Sequence, residues 1–498
     1  MNPLLLGGII GLLVSAACYL YIGKSDRQRS DSVADYFFYR WSLQERLVSV
    51  TMFSSSMSLA TVVIALIQLA AVFGIALSWA TITYCAGWTL FLIASRAIRA
   101  RTGPRDTIHS FLGNCYGSKT IRIVAAMATI VGFMGLFATE LFAADAVLRA
   151  LGVSPALVTL LLIVFGLVTI SYASLGGFRS VVRSDWIQTT LLVVAIAVIV
   201  GLTARLWVLG GSPNLASIPQ AQQFTLPTAV ALSLFFINVP YPFVDTQAWQ
   251  RARAAATDKD VTRGTIKAVV GFAVIWSILI AAGIVLAGSL TNGRDPFQAL
   301  FVSIQTLGPL SAFLVGMLLV PGLLAAMFSS ADGFINAAAH VYSLDLTNAG
   351  AGSDDAQVTT LARLHVVLVG SIALILCLGL RTVGFGIVDM VFSISAGQVA
   401  LFPSVVIALI RREAIQRLRL AAIISISSGF IVAWLNGIYA TLSVKLTLPY
   451  ADTIARFAPP DVYRSPIYAF GVSCIVFLLF AVITGLRFTG KGTASEVR

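Results

Sequence analysis

Apolar runs of about 20 residues recur along the chain, separated by short polar segments. A helical run of about 20 residues crosses the roughly 30 Å of bilayer hydrocarbon. Lipid offers no partners to backbone N–H and C=O groups, so only helices and closed barrels can span it. A barrel would show alternating segments of about ten residues, which this sequence lacks. The pattern predicts an all-α integral membrane protein with about 13 spans of the length a bilayer demands. They lie near residues 3–22, 47–75, 77–95, 120–148, 153–174, 186–209, 228–250, 266–290, 309–341, 361–380, 384–410, 419–443 and 465–487.

Two of these runs carry helix-weakening residues. TMFSSSMSLATV places Ser54, Ser55, Ser56 and Ser58 inside the second run, where serine hydroxyls compete for backbone hydrogen bonds. FFINVPYPFVDTQ places Asn238, Pro240 and Pro242 inside the seventh, and each proline removes a backbone donor. Non-helical backbone at that depth survives only when it lines a cavity or is buried in protein. With the first run set aside, the broken segments become the first and sixth helices of a core. Two inverted five-helix repeats with broken first helices would give that spacing, and such breaks mark a transporter's binding site. Two independent kinks are the alternative. The repeat reading divides one transmembrane domain, 1–498, into a leading helix and loop (1–46), repeats at 47–209 and 228–410, and two trailing helices with a tail (411–498).

Composition supports the membrane reading. The 498 residues are 58% hydrophobic and 11% charged, against about 25% charged in soluble domains. The net charge of +12 reflects Lys and Arg in short loops, and it points to anionic lipid rather than nucleic acid as the partner. Placing the N-terminus outside and the C-terminus in the cytoplasm puts about 26 of the 33 basic residues inside, as the positive-inside rule requires. The first run has Lys24, Arg27 and Arg29 after it and no basic residue before it. A cleaved signal peptide has the reverse order, so a retained helix is expected. Five scattered cysteines and three separated histidines form no metal or disulfide motif, and no nucleophile–base pattern suggests an enzyme. No organic cofactor is expected.

The ninth run, LVPGLLAAMFSSADGFINAAAHVYSLDL, spaces Ser329, Asp332, Asn336, His340 and Ser343 along one helical face. An aspartate at mid-membrane costs about 2.5–3.5 kcal/mol on insertion scales, so this face should meet protein or water. Adjacent Ser329 and Ser330, with carbonyls freed by a broken neighbour, would form an oxygen-only cage suited to a hard cation. Interhelical hydrogen bonding is the alternative role. Glu140 also lies deep in a run. Solute contact, proton carriage and pairing with a buried partner all remain open for it.

A dense polar stretch, SYASLGGFRSVVRSDWIQ (171–188), separates two long apolar runs. Its Tyr172, Gly176, Gly177, Val181 or Val182, Asp185 and Gln188 resemble the signature of the sodium:solute symporter family, with Ser184 in place of the usual threonine. DYFFYR before it, and WQRARAAATD, LLAAMFSSADGFINAA and AGQVALFPSVVIALI after it, appear in family-like order. The resemblance implies a LeuT-type core of ten helices, one helix before it and two after. It also implies a sodium site made by Ser54, Met57, Ala326, Ser329 and Ser330, with Asp185 at a further cation site or on the sodium release path. Asp332 stands where relatives carry a hydroxyl, and it would be a second cation ligand or a proton carrier. Arg179 and Arg183 would pair with Asp185 in an inner vestibule, hold the inner gate, or serve as positive-inside anchors. Thr61, Asn238, Tyr241, Gln398 and Glu140 are the candidate solute contacts.

The implied function is a symporter that imports a small polar organic solute with co-transported sodium by alternating access. Amino acids, monocarboxylates and sugars all remain open as solutes. A proton-coupled transporter on the same fold, using Glu140 or Asp332, and a transporter-like solute sensor are the rival readings.

Overall fold

The computed structural model describes residues 2–30, 32–103, 105–209, 225–287, 295–347, 355–383, 385, 387–411, 415–439 and 462–484. Among them the regular structure is helical, apart from one isolated parallel bridge between Leu43 and Ala255. Ten of the described helices are long and apolar enough to cross a membrane, or eleven if the bent pair Thr228–Val244 and Thr246–Ala254 forms one span. Their outward faces carry exposed apolar side chains such as Leu13, Ile93, Ile375 and Val482. Water would penalise that surface and lipid tolerates it, so the chain is a multi-pass membrane protein.

Two of the ten are too long for one crossing. Leu59–Arg101 has 43 residues and Pro155–Val208 has 54, whereas about 20 suffice. Each contains a glycine in the same unusual conformation: Gly74 at φ 58°, ψ −144° and Gly177 at φ 60°, ψ −148°. That region is essentially open to glycine alone. At Gly177 a Cβ would also run into the Tyr36 carbonyl and ring. The polar stretch at 171–188 is thus built around a point where the helix breaks against another segment.

The helix Pro309–Val341 is the centre of the molecule. Every residue from Leu319 to Val341 is buried, so protein surrounds that part of the helix on all sides rather than along the single polar face alone. Helix Pro3–Arg27 lies along it through small residues. A Cβ on Gly7 would strike the Phe313 carbonyl, one on Gly11 would strike Pro321, and one on Gly316 would strike the Leu4 carbonyl. Small residues let helix backbones approach closely in membranes. On another side, Gly322 abuts Leu191 and Ala195 of the helix Pro155–Leu209.

The two broken helices are tied together at one end. Leu43 N–H donates to the Ala254 carbonyl at 3.0 Å, and Ala256 N–H donates to the Leu43 carbonyl at 2.9 Å. This clamp joins the segment entering the first broken helix to the segment leaving the second.

Candidate functional site

The first broken helix runs Glu45–Ser56 and stops at Met57 (φ −96°, ψ 61°). Ser58 is extended, and the chain resumes as a π turn, Leu59–Ile64, that continues into Ala65–Phe73. Ser58 restarts the helix by accepting from Thr61 N–H at 2.8 Å, as capping serines do. Glu140 completes the cap. One carboxylate oxygen accepts from the Ser58 hydroxyl, and the other accepts from Leu59 N–H at 3.1 Å. A negative group is favoured there because unpaired N–H groups and the helix dipole converge on it.

The second broken helix runs Thr228–Asn238, then Tyr241–Val244 after Pro240, and bends by 42° before Thr246–Ala254. Asp245 caps this last piece, accepting from Gln247 N–H at 2.9 Å and Ala248 N–H at 3.2 Å. Each broken helix therefore restarts under a protein carboxylate.

The polar face of Pro309–Val341 meets the unwound first helix. Ser329 Oγ lies 2.7 Å from Ser54 Oγ and 2.8 Å from Asp185 Oδ1. The Ser330 hydroxyl points to the Ser55 carbonyl at 3.5 Å. Met57 is buried at the point of unwinding, and Ala326 is buried one turn before Ser330. Oxygen atoms from three chain segments thus meet at one crossing.

Asp185 does not pair with Arg179 or Arg183, and it is fully enclosed rather than open to a vestibule. It accepts from the Thr51 hydroxyl, and its nearest cation is Arg251 Nη2 at 4.0 Å. Arg251 also donates to the Thr51 carbonyl and to Gln247. Arg183 instead pairs with Asp26 at 2.5 Å, and Arg179 reaches Asp26 and Asp35 at 3.5 and 3.6 Å. These arginines stand on the turns just after Gly177, where the end of the first helix (Asp26) and the segment following it (Asp35) meet them.

Asp332 is buried in a separate polar cluster. Its Oδ2 accepts from the Tyr172 hydroxyl at 2.6 Å, with Gln188 Nε2 at 3.5 Å and Ser184 Oγ at 3.4 Å. Its Oδ1 is buried without a hydrogen-bond partner. The signature residues at 171–188 thus serve two neighbouring carboxylate sites, since Asp185 faces Ser329 while Tyr172 and Gln188 face Asp332. Further along, Asn336 meets Gln250 at 3.4 Å, His340 packs against Phe37 and Phe38, and Ser343 meets His365 at 2.8 Å.

A cavity of about 120 Å³ opens beside the unwound segments. Of the sequence-derived solute contacts, Thr61, Asn238 and Tyr241 line it. Gln398 does not; its amide packs against Gly132. Glu140 lies behind Ser58 and outside the lining. Sequence reasoning missed Tyr84, Asp245, Gln247 and Trp276, which also form the wall. Asp245 had a signal, since a carboxylate straight after a proline break is a helix cap. Tyr84 and Trp276, stacked at 4.4 Å, had none.

Residues 36–416 match the sodium:solute symporter family. A search of curated proteins gives no match. Among solved structures, a Na+-coupled sialic acid symporter in a substrate-bound outward-open state is similar, with TM-score 0.73 and 16% identity over 96% of this chain and 98% of that one. MhsT in complex with L-phenylalanine is similar at TM-score 0.51 and 15% identity, over 88% and 98%. At these identities the likeness is one of fold. The family match spans well over half the sequence, and the chain belongs to the sodium:solute symporter family.

Proposed function

We propose that the protein imports a small polar organic solute together with sodium by alternating access. Sodium binds at the crossing of Ser54, Met57, Ala326, Ser329 and Ser330, and the solute binds in the neighbouring cavity against Thr61, Asn238 and Tyr241. The observation that carries this reading is the Ser329 hydroxyl, held between Ser54 of the unwound helix and the Asp185 carboxylate. Hard cations favour such oxygen ligands, and the carboxylate supplies charge to balance the ion. Sodium there would bridge the first broken helix to the central helix, so its arrival would bias how these bodies sit. Each sodium moving inward through 100 mV contributes about 2.3 kcal/mol, a concentration ratio of roughly 50.

Among the described residues, splitting the two overlong helices at Gly74 and Gly177 and counting the bent pair Thr228–Val244 and Thr246–Ala254 as one span gives a count of 13. That count supports two inverted repeats at 47–209 and 228–410, and the distribution of basic residues supports an N-terminus outside. Two arginines in the last turn of the helix Ser78–Arg101 also cap the ends of other segments: Arg99 donates to the Ala252 and Ala255 carbonyls, and Arg101 to those of Ala408 and Arg411.

A proton-coupled reading draws on one observation, the unpartnered Oδ1 of Asp332, which suits either a carboxyl proton or a second cation. Uptake into proteoliposomes with sodium and proton gradients imposed separately decides between them. Under the sodium reading, uptake follows the sodium gradient, and combining Ser329→Ala with Ser330→Ala abolishes that dependence. Undiminished sodium activation in the double variant overturns the assigned site.

A further inference from the structure

The cavity wall has an uneven charge inventory. Asp245 is its one ionisable carboxylate, and no Lys, Arg or His lines it among the described residues. The guanidinium of Arg251 lies outside the lining; it donates to Thr51 and Gln247, and its Nη2, without a hydrogen-bond partner, lies 4.0 Å from Asp185. A solute carboxylate brought here would meet no side-chain cation.

Helix starts are the other common anchor for an anion. Both starts beside this cavity are already occupied. Glu140 sits on the Leu59 end, and Asp245 sits on the Thr246 end. A solute carboxylate would have to displace one of these or lie beside it, and burying an unpaired charge next to a like charge is costly. Nor would sodium at Ser54 and Ser329 lend its charge to the solute, because Asp185 already faces that crossing at 2.8 Å from Ser329 Oγ.

What remains favours the opposite charge. Asp245 uses one accepting position on each oxygen for its backbone cap, whereas a carboxylate has about four. Asn238 spends its N–H donors on the Ala80 carbonyl and Thr83, leaving its oxygen as the group it can offer a ligand. Tyr84 and Trp276 add a stacked aromatic wall, a surface that attracts ammonium groups. The Trp276 indole N–H is buried at 4% exposure with no hydrogen-bond partner, so it can serve a neutral oxygen on the same solute.

We propose that the transported solute is a small organic cation, an ammonium group on a body with a hydroxyl or carbonyl oxygen, and that carboxylates are excluded. The proposal rests on the solute site assigned above and narrows it. It is tested on the purified full chain by ligand-induced thermal shift and binding titration in sodium buffer. Choline and ethanolamine serve as cations, glucose as a neutral solute, and lactate and N-acetylneuraminate as anions. At least one cation should bind about tenfold or more tighter than either anion, as expected when a charged hydrogen bond is at stake. Asp245→Asn should keep the helix cap, because Asn caps as well as Asp, and with it the unliganded melting temperature, while losing about tenfold in cation affinity. An anion or glucose binding as tightly as the cations, no binding by either cation, or unchanged cation affinity in Asp245→Asn overturns the proposal. A sodium titration of intrinsic fluorescence without solute is read separately. If sodium produces no change there, the coupling reading fails, and the charge comparison is then made in sodium-free buffer.

Discussion

Ser329 Oγ and Asp185 Oδ1 lie 2.8 Å apart although the residues are 144 positions apart in the chain. The contact joins the central helix to the helix that follows the Gly177 break, and the Ser54 hydroxyl closes the third side at 2.7 Å. The proposed ion site and the helix packing share these atoms.

Replacing Asp185 with Asn removes charge from this crossing while keeping most hydrogen bonds. Hydrogen bonds to charged groups contribute about 1.5–3 kcal/mol, so sodium affinity should fall by roughly tenfold to a hundredfold. Half-saturation of uptake against sodium concentration measures the effect. An unchanged sodium dependence would separate Asp185 from the ion.

Glu140 should act on the helix restart rather than on solute. Glu140→Ala leaves Leu59 N–H and the Ser58 hydroxyl buried without their acceptor. An orphaned buried donor costs about 1–3 kcal/mol, which should lower the melting temperature. Glu140→Gln keeps an acceptor and should lose less. Equal melting temperatures for wild type and Glu140→Ala would show that the cap is dispensable.

Gly177→Ala is expected to destabilise the protein severely. Its φ of 60° with ψ −148° excludes side chains, and a Cβ would meet Tyr36; strain of this kind costs about 1–3 kcal/mol before the clash is counted. Gly201→Ala is the control, because nothing lies within 4 Å of its Cβ position, and it should leave the melting temperature unchanged or slightly raised. Detergent-solubilised yield and thermal unfolding of the two variants provide the comparison.

The leading helix is held by close backbone contact, so Gly7→Val should push it off the central helix. The substituted Cβ would strike the Phe313 carbonyl and lie 2.9 Å from Met317 N. Reduced thermal stability is the expected result. Retention of wild-type stability would mean that the helix Pro3–Arg27 shifts at little cost.

The sequence by itself determined the environment and the weak points of the chain. Apolar run length names lipid as the solvent, because hydration of 20 such residues has no alternative remedy. Four serines and two prolines mark where helices come apart: TMFSSSMSLATV unwinds at Met57, whereas FFINVPYPFVDTQ keeps helical dihedrals through Pro240 and leaves the helix five residues later, at Asp245. The polar residues from Ser329 to Ser343 are buried, as the cost of charge in lipid demands. These inferences are legible because each depends on local spacing or on one residue against a uniform solvent.

Only the tertiary structure decided who meets whom. Asp185 faces Ser329 and Arg251 rather than its near neighbours Arg179 and Arg183. Glu140 turned out to cap a helix 81 residues away in the chain. Tyr84 and Trp276 became a cavity wall without any motif to announce them. Such partnerships depend on which helix faces approach within about 3 Å, the reach of a hydrogen bond. That approach is set by small residues such as Gly7, Gly177 and Gly322 acting through the whole packed bundle, and hydropathy along one dimension carries no record of it.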